Sequence, residues 1–236
     1  MRLAILTTKT THHAFFAQEI NKINDNVDIF IEKKKVFKKF KIDDSIEKKF
    51  SNFEKKKCFQ KSKSYLIEFN KIKEYSSFNS KKFFNFFKKK KYDLIIVFGS
   101  SILGKRIINL NKKKIFNLHG GNPEKYRGLD SIYWSIFNSR FQDLVTTLHS
   151  LESKVDKGKI FSRKKIYLRK NMKFYEIRYY NTQNCINLCK SLIFQIKNKV
   201  KIKLKKQETE GLYFTAMPTV LKAYCIKKFK NYISTL

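Results

Sequence analysis

Apolar positions along the chain fall into short continuous runs, separated by polar stretches in which apolar residues recur at helical spacing. Arg2–Thr8 is the first run and predicts a strand. His13–Ile23 sets Phe15, Ile20 and Ile23 on one stripe and predicts a helix, and Val27–Ile31 predicts a second strand. From Glu32 to Tyr92 the chain is rich in Lys and Phe and lacks Gly and Pro, which suits one or two surface helices with an apolar stripe toward the core. Tyr92–Phe98 (YDLIIVF), closed by Gly99, has the uninterrupted apolar character of a strand covered on both faces. Ile115–Leu118 predicts a short strand, Asp130–Phe137 a helix and Leu144–Leu151 another strand. Beyond Ile166 follow a helix over Asn184–Lys197, a strand-like run over Lys199–Lys206, a strand over Gly211–Phe214 and a terminal helix. Alternating strands and helices predict an α/β domain built on a mainly parallel sheet. Ligands bind beyond the carboxyl ends of such strands, so the polar residues after Leu6, Phe98, Phe116 and Leu151 are expected to gather at one rim.

Composition narrows the class. The 236 residues are 42% hydrophobic with 23 Phe and 12 Tyr, enough for a real core, and 7 Gly with 2 Pro exclude collagen-like and linker-like chains. Apolar stretches such as Leu94–Phe98 fall far short of the roughly 20 residues of a membrane helix. The opening run is too short for a secretory signal, so the expected location is cytoplasmic. Cys58, Cys185, Cys189 and Cys225 form no CxxC pair, in keeping with a reducing compartment. Cys185 and Cys189 would supply two soft ligands where zinc takes about four, so no metal is implied. The net charge of +34 ordinarily points to nucleic acid. Here the excess is nearly all Lys, mixed with Asn, Ile and Phe, the residue set of A/T-rich codons. Most of it lies outside residues 93–160, so codon bias is favoured over a dedicated nucleic-acid surface.

Candidate chemistry concentrates in that middle segment. Asn117 and His119 stand two apart at the end of the Ile115–Leu118 strand, on one side of an extended segment, and lead into Gly120-Gly121-Asn122-Pro123-Glu124-Lys125-Tyr126-Arg127-Gly128. Farther on, Thr147-Leu148-His149 precedes Val155-Asp156-Lys157-Gly158-Lys159-Ile160. An Asn, a His and an acid could thus meet. The ordered set N-L-H, Y-R-G, T-x-H and V-D-x-G-x-I resembles the formyltransferases that use 10-formyltetrahydrofolate, over roughly Tyr92 to Ile166 and more loosely at the first strand. The resemblance implies a Rossmann-like formyltransferase fold, with a catalytic domain over 1–166 and a C-terminal extension over 167–236 that packs on it and is a candidate dimerisation element. It also implies catalytic Asn117, His119 and Asp156, a supporting His149, and N10-formyltetrahydrofolate as cosubstrate. The folate is expected over Gly99, Ser100, Ser101, Ile102 and Leu103 and beside Val155.

These residue types suit formyl transfer. An amine attacking a formyl carbon creates an oxyanion, which Asn117 and a protonated His119 would stabilise, while Asp156 would relay the amine's proton through water and keep His119 charged. Two departures from relatives bear on substrate. The loop reads H-G-G-N-P-E-K-Y-R-G where many relatives have H-x-S-L-L-P-x-Y-R-G, and Thr8-Lys9-Thr10-Thr11-His12-His13 replaces the phosphate loop expected of glycinamide ribonucleotide enzymes. The 70 residues after Ile166, which include a family-like Q-x-x-x-G-x-Y over Gln207–Tyr213, are too few for the extra domain of methionyl-tRNA formyltransferases. A nucleotide-linked amino sugar is therefore the expected acceptor, contacted by Thr10, His12, Tyr126 and Arg127, as in enzymes that make sugars for lipopolysaccharide O-antigen. Methionyl-tRNA is the alternative, and a non-catalytic basic RNA-binding protein on the same fold a further one.

Overall fold

The computed structural model describes residues 1–33, 44–59 and 72–236. Its elements run β1 (Leu3–Thr7), α1 (Thr11–Asn21), β2 (Val27–Glu32), α2 (Asp44–Cys58), β3 (Ile72–Tyr75), α3 (Lys81–Phe87), β4 (Leu94–Phe98), α4 (Lys105–Leu110), β5 (Ile115–His119), β6 (Tyr126–Gly128), α5 (Ser131–Phe137), β7 (Val145–Ser150), β8 (Ile160–Lys165), α6 (Glu176–Lys197), β9 (Leu212–Phe214) and α7 (Thr219–Ser234). The surface helices expected between Glu32 and Tyr92 are α2 and α3, with the unforeseen strand β3 between them. Residues 34–43 and 60–71 of that stretch lie outside the described residues.

Seven strands form one sheet in the order β3-β2-β1-β4-β5-β7-β8. The first five are parallel, and β7 and β8 are added antiparallel. Strands β1 and β4 are buried at every position, as their apolar runs require, because helices cover both faces. Side chains alternate across the sheet. Leu3, Ile5, Leu94, Ile96, Phe116 and Leu118 pack against α1 and α6, whereas Ala4, Leu6, Ile95, Val97 and Ile115 pack against α3 and α4. A third cluster joins Tyr133, Ile136, Phe174, Ile177, Cys225 and Phe229, so α5, α7 and the start of α6 share a core with Phe50 of α2. Helix α6 begins at Glu176, eight residues before the expected start, and the run over Lys199–Lys206 makes only a single bridge, Lys205 with Ile160. No helix among the described residues is long and apolar enough to cross a membrane.

Strand β7 runs antiparallel to β5, and Leu151 leaves the sheet beside Ile115, at the amino end of β5. The segment from 151 to 159 folds back, so that Glu152, Ser153, Val155 and Asp156 gather with the residues after Phe98 and Phe116, as expected. Its return depends on Gly158, where an added Cβ would overlap the Ser150 carbonyl oxygen.

Two outcomes follow from this arrangement. Gly158→Ala is expected to lower stability by about 1–3 kcal/mol, as overpacking against fixed backbone does. A urea midpoint equal to that of the unsubstituted chain would contradict this role for Gly158. The second concerns pH. Burial, helped by the Arg178 charge, lowers the pKa of His13 to about 3. The unfolded chain binds that proton near the ordinary value of about 6.5 and the folded one does not, so folding stability falls as pH drops from about 6.5 toward 3. His13→Gln should flatten the fall of thermal midpoint between about pH 6.5 and 4.5; an unchanged slope would remove His13 as its source.

Candidate active site

Strand β5 presents Asn117 and His119 on the face opposite Phe116 and Leu118, because side chains two apart along a strand share a face. Antiparallel pairing sets His149 of β7 directly across from Asn117. The returning segment then delivers Asp156 to all three. Asn117 Nδ2 donates to Asp156 Oδ1 at 3.2 Å and lies 3.2 Å from His149 Nε2. His119 Nδ1 lies 3.5 Å from Asp156 Oδ2, and His149 Nε2 lies 3.4 Å from Asp156 Oδ1. The Gly128 N–H completes the set, donating to Asp156 Oδ2 at 2.8 Å.

The network constrains protons as well as positions. His119 Nε2 lies 2.9 Å from the Tyr126 carbonyl oxygen, which only accepts, so that nitrogen carries a hydrogen. By the same argument His149 donates from Nδ1 to the Ser150 carbonyl at 2.8 Å, while its Nε2 faces both Asn117 Nδ2 and Asp156 Oδ1. Asp156 is buried, and burial opposes its charge. Even so, His119, His149 and the Gly128 N–H hold its carboxyl well below the usual carboxylate range. Its backbone is left-handed, with φ 53°, a conformation Asp tolerates better than most residues. Gln207 Nε2 secures that turn from the C-terminal segment by donating to the carbonyls of Asp156 at 2.7 Å and Gly158 at 2.8 Å.

A cavity of about 690 Å³ opens beside this network at the carboxyl ends of β1, β4 and β5. Gly99, Ser100, Ser101, Ile102, Leu103 and Val155 line it together with Asn117, His119 and Asp156. Gly99 has φ +77°, and an added Cβ there would strike the His13 ring. The loop after it is braced from outside by Glu32, whose carboxylate accepts from Ser101 N at 2.7 Å, Ser101 Oγ at 2.9 Å and Phe78 N at 2.9 Å. Asn79 clasps the same loop, donating to the Ile102 carbonyl at 2.8 Å and accepting from Gly104 N at 2.6 Å. The Ser101 N–H and Ile102 carbonyl are therefore engaged with the protein itself.

The four residues expected at the acceptor separate. His12 lines the cavity, and Thr10, outside the lining, places its Oγ1 3.2 Å from His12 Nδ1. Tyr126 and Arg127 do not reach the cavity. The Tyr126 ring is buried beside Phe214, and its backbone serves His119. Arg127 donates to the carbonyls of Gly211 at 2.6 Å and Val155 at 3.4 Å and pairs with Glu210 at 3.1 Å, so it braces the Asp156 turn against β9.

Sequence reasoning missed the wall supplied by α2, α5 and α6. Arg178 holds Glu54 through two bonds of 2.6 and 3.1 Å and Glu47 through one of 2.7 Å. Glu47, Arg178, Tyr133 and Asn181 all line the cavity. Nothing in the sequence signals this wall, because its members come from three separate helices. Gln207 did carry a signal, since it opens the Q-x-x-x-G-x-Y element.

Comparison with known proteins identifies the family and the fold. Over 126 residues the chain is 31% identical to the bifunctional polymyxin resistance protein ArnA of Wigglesworthia glossinidia brevipalpis, a match covering 52% of this chain and 19% of that protein. The chain thus spans about a fifth of the length of that curated relative. A 4-N formyltransferase from Francisella tularensis superposes with a TM-score of 0.61 at 21% identity, covering 95% of this chain and 86% of that one. An N-formyltransferase from Helicobacter canadensis, in complex with folinic acid and dTDP-3-aminofucose, superposes with a TM-score of 0.59 at 17% identity, covering 91% and 71%. At these identities the structural likeness establishes the fold. The formyl transferase family model matches residues 1–177, a span that includes every strand of the main sheet and all four members of the Asp156 network, and the chain therefore belongs to the formyl transferase family.

Proposed function

We propose that the protein transfers the formyl group of N10-formyltetrahydrofolate to the amino group of a nucleotide-linked amino sugar. The observation that carries this reading is the convergence of Asn117, His119 and Asp156 on one buried carboxylate network at the cavity lined by residues 99–103 and Val155. The cavity volume, about 690 Å³, lies within the range of small-molecule sites. Supporting it, the Helicobacter canadensis relative holds folinic acid and dTDP-3-aminofucose.

In this reading the acceptor amine forms a bond to the formyl carbon, and the carbonyl oxygen becomes an oxyanion. Collapse of that centre breaks the bond to folate N10, which takes up a proton as the amine loses one. Asn117 and His119 are the donors to the oxyanion. Asn117 Nδ2 lies 3.2 Å from both His149 Nε2 and Asp156 Oδ1, so donation to the oxyanion replaces one of these contacts. A carboxyl held far below the usual range is a weak base. The stronger contribution of Asp156 is therefore electrostatic, favouring positive charge on His119 and on the attacking nitrogen, with water carrying the released proton. His149 holds Asn117 and Asp156 in register. Residues 167–236 serve the catalytic part, 1–166, as a brace: Gln207 secures the Asp156 turn, and Asp130, at the start of α5, accepts from Met217 N at 2.8 Å and pairs with Lys222 at 2.9 Å.

Methionyl-tRNA remains the competing acceptor because of the +34 charge. An assay with 10-formyltetrahydrofolate against dTDP- and UDP-linked amino sugars and against methionyl-tRNA decides between them. Formylation of a nucleotide sugar, with binding that weakens only modestly as salt rises, is the expected result. Formylation of methionyl-tRNA with a salt slope corresponding to about six or more phosphates would overturn the sugar reading. Within the sugar reading, Asn117→Ala, His119→Ala and Asp156→Ala should each lower kcat about a hundredfold or more while circular dichroism stays unchanged. Near-normal turnover in His119→Ala would sink the mechanism.

A further inference from the structure

The cavity is charged against the rest of the molecule. In a chain of net charge +34, its lining among the described residues holds Glu47, Asp130, Glu152 and Asp156, with Arg178 as the one permanent cation. No described lysine lines it. Glu54 grips Arg178 through two nitrogens and Glu47 through the third, so its fork is not open to a phosphate.

Among these acids, Asp130 has a carboxylate oxygen to spare. Its Oδ2 accepts from Met217 N at 2.8 Å and lies 2.9 Å from Lys222 Nζ. Oδ1 accepts no hydrogen bond among the described residues, yet it is not one of the unpartnered polar atoms sealed from solvent. The Asp130 side chain keeps 23% exposure against 4% for that of Lys222. Lys222 therefore approaches from the buried side, and the open edge of the carboxylate belongs to the cavity that Asp130 lines. The backbone beneath it is fixed in the left-handed region at φ 54°, which Asp tolerates.

The chain neighbours locate this oxygen relative to the reaction. Two residues before Asp130, the Gly128 N–H donates to Asp156 Oδ2 at 2.8 Å. One residue after it, Ser131 Oγ lies 3.3 Å from His119 Nε2. The turn carrying Asp130 is thus tied on both sides to the side chains that surround the formyl carbon. An ionised carboxylate only accepts hydrogen bonds. A hydroxylated ring supplies the matching O–H, whereas a diphosphate supplies only further acceptors and negative charge.

Building on the acceptor proposed above, we infer that Asp130 Oδ1 receives a hydrogen bond from a ring hydroxyl of the amino sugar, and so selects the sugars whose amine faces His119 and Asn117. The diphosphate lies outside this acidic lining. Lys222 and Met217 N hold the carboxylate in place for that contact.

Steady-state kinetics test this with 10-formyltetrahydrofolate, the dTDP- and UDP-linked amino sugars, and monodeoxy forms of the sugar that is turned over. The variants are Asp130→Asn and Asp130→Asn/Lys222→Met, the second removing the ion pair as a unit so that no lysine is left buried and unpaired. Asn keeps one oxygen for Met217 N and turns a donor to the sugar. Both variants should raise the sugar KM about tenfold or more and leave the folate KM within about twofold. One monodeoxy sugar should have a KM raised about tenfold on the unsubstituted enzyme and lose less than about threefold further on substitution, because the bond is already gone. A sugar KM unchanged in the double variant, an equal rise for folate and sugar, or an equal rise on every monodeoxy sugar overturns the subsite while leaving the sugar reading intact. A rise in Asp130→Asn that the double variant abolishes also overturns it, by pointing to the unpaired lysine. If neither variant stays folded by circular dichroism, the unsubstituted enzyme decides, and equal KM values for the parent and all monodeoxy sugars overturn the subsite. If the unsubstituted enzyme turns over none of the sugars, the acceptor reading fails and the subsite with it.

Discussion

A buried carboxylate is tolerated only when its surroundings replace the water it has lost, and Asp156 is such a group. Its partners come from β5, β7 and the Gly128 turn, while Gln207 secures its backbone from a segment about fifty residues onward. The carboxylate therefore imposes conditions on distant parts of the chain. Strand β7 must pair antiparallel with β5 to place His149 across from Asn117, and the segment after it must return along the sheet. Small residues at 128 and 158 permit the close approach, since Cβ atoms there would overlap the carbonyl oxygens of Phe214 and Ser150.

The same economy of partners governs the opposite side of the cavity. Glu54 is fully buried in α2 and is matched by Arg178 of α6, while Phe50 packs beneath that guanidinium at 4.5 Å. Removing one partner of such a pair leaves an uncompensated charge, so the two helices are tied together at the cavity edge. Glu32 does comparable work below the 99–103 loop, using one carboxylate to order three donors. Around these points the pocket has a rigid floor of strand ends and a braced loop on one side.

The large positive charge belongs to a different layer of the molecule. Many of the lysines are exposed or paired at the surface, as Lys33 with Glu74 and Lys205 with Glu208. Such pairs are screened by solvent and contribute little to folding. By contrast, the groups that organise the site are few, buried and mutually satisfied. Net charge and active-site electrostatics are thus set independently here.

What was legible in the sequence reflects local information. Continuous apolar runs marked β1, β4 and β5, because strands covered on both faces admit no polar alternation. The two-residue spacing of Asn117 and His119 put them on one face by covalent geometry alone, and the order of the motifs indicated that Asp156 would join them. Edge strands were less legible: β3 and β8 bear Lys, Arg and Glu, as exposed edges do, and β6 has only three residues, whereas β9 falls within the strand expected over Gly211–Phe214. The contacts of Tyr126 with Phe214 and of Arg127 with Gly211 and Glu210 were not legible, nor was the clasp of Arg178 on Glu47, 131 positions away. Periodicity records which face of its own element a residue occupies. Which other element that face meets is decided only when the whole chain closes.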